Sequence, residues 1–265
     1  MKKYLNIFKE NKSVFFSLIA NDFRSRYNGS NFGVVWGIIQ PIVTIFVYWF
    51  AFSIGLRAGD RPDGTPYILW LICGMIPWFY ISEALGSCTN AFLDYSYLVK
   101  KVNFRLGFIP IIKALSAFIF HLVFVVIVTI ILNFYGYVAD WYYFQLIYYM
   151  AAMLFNVIGI GLLTSSITVF FRDLSQIIGI IIQVGFWIIP IVWGKEMMTN
   201  AVISFILELN PVFYIVEGYR ETLLTKVPFW AHPFQTIYFW GISAIIFLVG
   251  LKMFRKLKGN FADVL

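Results

Sequence analysis

Long uncharged apolar runs constrain this chain more than any other feature. Residues 34–55 contain no Asp, Glu, Lys or Arg. About 20 helical residues cross the hydrocarbon core of a bilayer, and only helices or closed barrels satisfy their backbone polar groups there. Further runs cover about residues 66–89, 114–134, a stretch within 142–171, 177–193 and 233–251, with Glu83 as the one acid inside them. A barrel would instead show ~10-residue segments of alternating polarity, and these are absent. The charged fraction is 12%, about half that of a soluble domain. The sequence therefore predicts an all-α polytopic membrane protein with six transmembrane helices.

The ends and one connection read differently. In residues 4–19, Tyr4, Ile7, Phe8, Val14, Phe15, Leu18 and Ile19 recur at helical spacing, with lysines on other faces. Such a basic amphipathic helix lies in the membrane surface. Lys9, Glu10 and Lys12 interrupt its apolar positions, so it is not read as a signal peptide. Between the fifth and sixth spans, residues 197–209 and 212–224 are apolar but too short to cross, and Asn210–Pro211 splits them. They are expected to form two short re-entrant or outer helices. Of the 20 Lys and Arg residues, fifteen fall in the segments that join the two termini to one side. The positive-inside rule makes that side cytoplasmic. The expected organisation is one domain over 1–265: an interfacial helix and turn over 1–31, a six-span bundle over 32–254, and a cytoplasmic tail over 255–265.

Few residues offer chemistry. Cys73 and Cys88 read as small membrane-buried hydrophobes, and no metal-ligand spacing or catalytic cluster is present. Arg24 and Arg26 precede the first span, as plain interfacial anchors or as ligands for a phosphate headgroup, which guanidinium groups match. Glu83 must face a helix partner, a dimer interior or a cavity near the outer third of the membrane, since a lipid-facing charge is costly. His121 reads as a hydrogen-bonded packing residue. Glu217, Tyr219 and Arg220, with Glu221 beside them, form either a solvated outer face or an exit gate. Trp36, Tyr48 and Trp78 are either belt and packing aromatics or the lining of a channel in which sugar faces slide. Gln40, beside Pro41, and also Asn156 and Gln183, serve a lumen or helix–helix hydrogen bonds.

Four stretches, in order, carry a resemblance: "DFRSRYNGSNFGVVWGIIQP", "FFRDLSQI", "LNPVFYIVEGYRETLL" and "FADVL". Together they resemble the permease subunit of ABC-2 type polysaccharide exporters. "VYWFAFSIGLR", "GTPYILWLICGMIPWFY" and "NPVFYIVEGYR" are most similar to the branch that exports wall teichoic acid in Gram-positive bacteria; O-antigen and capsule permeases share the plan. The resemblance implies a plasma-membrane homodimer of permeases, paired with two copies of a separate ATP-binding subunit, moving a lipid-linked polymer outward. That partner would bind ATP and Mg. This chain has no GxxxxGK[ST] loop to cradle phosphates, and membrane lipids rather than nucleic acid are its surroundings. In the family, the loop holding Tyr97, Leu98, Val99, Lys100, Lys101, Val102, Asn103, Phe104 and Arg105 forms the coupling helix that rests on the ATPase, where apolar knobs with a basic rim suit a groove. Other readings are an ABC-2 drug or lipid exporter, a membrane glycosyltransferase, for which the acids are too scattered, and an ion channel, for which no filter is evident.

Overall fold

The computed structural model describes residues 2–26, 31–57, 59–100 and 105–265, with the backbone alone over 2–12. The described residues form helices and no strands. The amphipathic helix α1 (Lys2–Ser25) docks through Phe15 and Ile19 onto Ile112 of α6 (Phe108–Phe134), two of the apolar positions its periodicity marked.

Helix α3 (Tyr67–Thr89) is the axis of the bundle. It packs against α2 (Trp36–Trp49), α6, α7 (Gln145–Thr168), α8 (Leu174–Ile188) and α10 (Pro211–Arg220). Over Tyr67–Ile81 its sequence is apolar on all sides, as a helix surrounded by others requires, and Cys73 and Cys88 are buried in it as free thiols. Helix α11 (Pro233–Leu257) lies along α7. A side chain at Gly250 would collide with the Gly159 carbonyl, and one at Gly159 would crowd the Phe247 backbone, so small residues permit this close approach. Asn156 donates to Ser243 Oγ at 2.8 Å across the same contact.

The first span is unusual. Pro41 sits inside α2, and Phe50–Gly55 continue it as a wider π-type turn. Proline donates no hydrogen bond, so the Gly37 carbonyl loses its helical partner. Thr44 Oγ1 donates to the Gln40 carbonyl at 2.8 Å. No residue of α2 is buried.

Among the described residues, five helices are long and apolar enough to cross a membrane: Gly33–Gly55, Tyr67–Thr89, Phe108–Phe134, Trp141–Thr168 and Pro233–Val264. The run expected over 177–193 folds as α8, of 15 residues, about 22 Å long against a ~30 Å core. It stops because Ile189 precedes Pro190 and is extended, at φ −75° and ψ 134°. The two short helices expected before the last span are α9 (Ala201–Glu208) and α10, bent by 88° to each other. Asn210 accepts from the Val212 N–H at 2.9 Å and Pro211 opens α10, so the Asn–Pro pair both ends one helix and caps the next.

Candidate functional site

At the α1 end of the bundle, five charged groups from four elements meet. Asp22, only 1% exposed, accepts from Lys113 Nζ at 2.8 Å, Tyr95 Oη at 3.0 Å and Arg26 Nη2 at 3.0 Å. Lys113, on α6, also pairs with Asp94 at 2.8 Å, at the end of the short helix α4 (Ala91–Asp94). Arg26 reaches further, to Glu83 of α3. Burial pushes the Asp22 carboxyl up, but the Lys113 ammonium, Ser116 and Arg26 outweigh it and hold the pKa below the ordinary carboxylate value. Asp22, Arg26, Asp94 and Lys113, but not Glu83, line a cavity of about 460 Å³ with Tyr97.

A second cavity, of about 470 Å³, opens between α2 and α3 and is lined by Gly37, Gln40, Pro41, Thr44, Phe79, Ser82 and Glu83. It gathers Gln40 and Glu83 from the lining expected from sequence. It does not gather the three aromatics: Trp36 is exposed, Trp78 is buried against Phe186, and Tyr48 packs on Phe186 and Trp187 of α8. Glu83 faces a helix partner, one of its expected settings. It lies at the α1 end of α3, the end away from the Arg220 cluster, and not at the opposite end from α1 where an outer-third position would put it if α1 is cytoplasmic; α3 runs back toward α1, and Glu83 is in its last two turns.

The expected coupling loop is divided. Tyr97 and Lys100 are exposed, and Arg105 is also at the surface. Leu98 and Val99, in α5 (Ser96–Val99), turn inward and join Phe92, Ile109 and Phe254, so they are packing residues rather than outward knobs. Phe261 of the C-terminal stretch fills the same cluster, 4.8 Å from the Phe92 ring. Lys101, Val102, Asn103 and Phe104 lie outside the described residues. Arg24 is exposed; Arg26 is engaged by Asp22 and Glu83, which leaves it a poor plain anchor.

At the other end, the solvated-face reading of Arg220 is overturned. The residue is 2% exposed. It donates to the Pro190 and Ile191 carbonyls at 2.8 and 2.7 Å, pairs with Glu217 at 3.2 Å, and stacks 3.5 Å above the Trp70 ring. Gly74 makes room, since a side chain there would meet the guanidinium. Tyr219 is fully buried, and its hydroxyl meets His121 Nε2 at 2.7 Å, the hydrogen-bonded packing role expected for His121. Arg61 pairs with Glu196 at 2.6 Å and covers Trp70 at 4.3 Å, tying the loops at this end to α3. Sequence reasoning missed Asp22 and Lys113, and took Trp70 only as one of several span aromatics that could line a channel rather than as the ring beneath Arg220. The i,i+4 spacing of Asp22 and Arg26 was a usable signal; nothing local marks Lys113.

A helical bundle with membrane-length spans, an amphipathic helix docked at one end and a bent helix pair at the other defines a multi-pass membrane protein. The chain belongs to the ABC-2 type transporter family, whose profile matches residues 13–224. Members of that family are membrane subunits that work with an ABC ATP-binding subunit. The chain is 27% identical over 263 residues to the O-antigen export system permease protein RfbA of Klebsiella pneumoniae, covering 97% of this chain and 98% of that protein. It is 21% identical over 256 residues to RfbA of Myxococcus xanthus, covering 95% of each.

Proposed function

We propose that this chain is the permease subunit of an ATP-driven exporter of a lipid-linked polysaccharide of the O-antigen class. The observation that carries this reading is its end-to-end similarity to O-antigen export permeases from two bacteria. On this reading two copies of the chain pair with two ATP-binding subunits, which hold ATP and Mg. The whole of 1–265 acts as one transmembrane domain, with both termini in the cytoplasm. Tyr97, Lys100 and Arg105, with residues 101–104, meet the ATPase.

The exposed Arg24 recruits the phosphate of the lipid carrier at the inner surface, because guanidinium pairs with phosphate oxygens in two parallel hydrogen bonds. The α2–α3 cleft, with Gln40, Thr44, Ser82 and Glu83 on its walls, offers polar partners to sugar hydroxyls beside the Phe79 ring. The hairpin of α9 and α10, braced by Arg220, forms the outer gate, with the half-buried Glu217 at its surface.

A second substrate, wall teichoic acid in a Gram-positive cell, is supported by the stretches at residues 47–57, 64–80 and 210–220, which resemble that branch. The test is co-purification with a candidate ATP-binding subunit, followed by ATP turnover with each lipid-linked polymer. Stimulation by lipid-linked O-antigen is the expected result. Stimulation by the teichoic acid precursor alone would move the assignment to the second substrate, and stimulation by neither would end both.

A further inference from the structure

We propose that Asp22 and Lys113 are positioning residues for translocation: they hold Arg26 against Glu83, and this contact shuts the α1 end of the α2–α3 cleft. The inference rests on the permease reading above. Its basis is a chain of charges that alternate in sign: Asp94, Lys113, Asp22, Arg26, Glu83. The successive links measure 2.8 Å, 2.8 Å and 3.0 Å, and the last joins Arg26 to Glu83. The chain crosses from α4 through α6 and α1 to α3.

Its two ends face different cavities. Asp94, Lys113, Asp22 and Arg26 line the 460 Å³ cavity beside Tyr97. Glu83 lines the 470 Å³ cleft with Gln40 and Thr44. The Arg26–Glu83 contact is therefore the partition between a space at the ATPase-facing loop and a space among the spans.

The links are unequal, and this decides which one moves. Asp22 uses both oxygens: Oδ1 takes Lys113 and Tyr95, while Oδ2 takes Nε and Nη2 of Arg26. With its side chain 1% exposed, losing a partner there strands a buried charge. The Glu83 side chain is 38% exposed, and among the described residues Arg26 is its one ion-pair partner. Arg26 retains Asp22, and the Lys113 carbonyl at 3.3 Å, when Glu83 lets go. A displacement of Asp94 and Tyr95 thus travels through the strong links and parts the weak one.

The balance of charge argues against a substrate role for Arg26. Three carboxylates surround two cations in this chain, so a phosphate arriving there meets net negative charge. Arg26 acts through Glu83, and Asp22 and Lys113 act through Arg26.

The experiment uses full-length permease with its ATP-binding subunit in inside-out vesicles. Thr44→Cys, on the cleft wall, is labelled from the cytoplasmic face with a membrane-impermeant maleimide; Cys73 and Cys88, both 0% exposed, set the background in the parent. Glu83→Gln, Asp22→Asn and Lys113→Met are each expected to speed labelling by about fivefold, the shift that losing one partly exposed ion pair produces. Lys113→Arg restores the parent rate, which separates positioning from general loosening. Combining Asp22→Asn with Glu83→Gln adds nothing beyond either alone, because both remove the same contact.

An unchanged rate in Glu83→Gln, which alters only a half-exposed group, would overturn the shutter. A fast Glu83→Gln with a parental Lys113→Met, or an additive double variant, would overturn the positioning role. The labelling needs no polymer. If the rates shift as stated while the complex exports no lipid-linked polymer, the permease reading fails and the shutter stands.

Discussion

Replacing Arg220 with Met removes the brace at the end of the bundle away from α1, at nearly constant volume, and the structure sets the size of the effect. The Pro190 and Ile191 carbonyls, at 2.8 and 2.7 Å, lose their donor in a place closed to water. Each orphaned carbonyl costs about 1–3 kcal/mol. Loss of a desolvated cation–ring stack, here 3.5 Å from the Trp70 centroid, adds up to about 2 kcal/mol. Relief from burying a charge offsets part of this, for a net loss of roughly 3–5 kcal/mol. In a chain of this size each kcal/mol lowers the melting temperature by about 2–4 °C, so the expected fall is on the order of 10 °C. Thermal unfolding of the detergent-solubilised protein, followed by size-exclusion chromatography, measures it. Arg220→Lys should lose about half as much, because an ammonium reaches the carbonyls but cannot lie flat on the indole. A Met variant melting within about 2 °C of the parent would refute the brace.

Three further outcomes follow from contacts already described. Gly250→Leu forces α11 off α7 at the Gly159 carbonyl; overpacking of about 1–3 kcal/mol should lower the yield of monodisperse protein, while Gly241→Ala, in open space, should not. Tyr97→Ala should leave membrane abundance unchanged and lower polymer exported per ATP hydrolysed, whereas Val99→Asp, aimed into the packed cluster with Phe92 and Phe254, should lower abundance itself. Asp22 has a depressed pKa, so its contribution is complete above the ordinary carboxylate value of ~3.9 and is lost as pH falls through its lower folded value. A fluorophore at Arg24→Cys should report a docked α1 at neutral pH that releases only on strong acidification; release between about pH 7 and 5 would contradict the depressed pKa.

Apolar runs made the spans legible because lipid imposes its requirement locally, residue by residue. The hairpin was legible for the same reason, with Asn210–Pro211 as an explicit break. Pro190 carried an equally plain signal that the run before it would end early, and the uniform oiliness of residues 177–193 masked it. The charged joint was legible only where it is local. Asp22 and Arg26 are four apart, but Tyr95 and Lys113 lie 73 and 91 positions from Asp22, and in one dimension Lys113 is just another positive-inside lysine. Arg220 misled because its partners are main-chain carbonyls, freed by a break in another helix, which no pattern of side chains announces.

The first span contributes no buried residue to its own chain, and Ile42, Val43, Phe46, Val47 and Phe50 all face outward from it. Substitutions along that face should therefore be nearly silent in the stability of the isolated chain, and selection on them acts through the neighbours it meets in the membrane. This helix can vary with those surroundings while the α3-centred bundle is held fixed by its own packing. A fold so divided can adapt to new cargo by rewriting one stave rather than its frame.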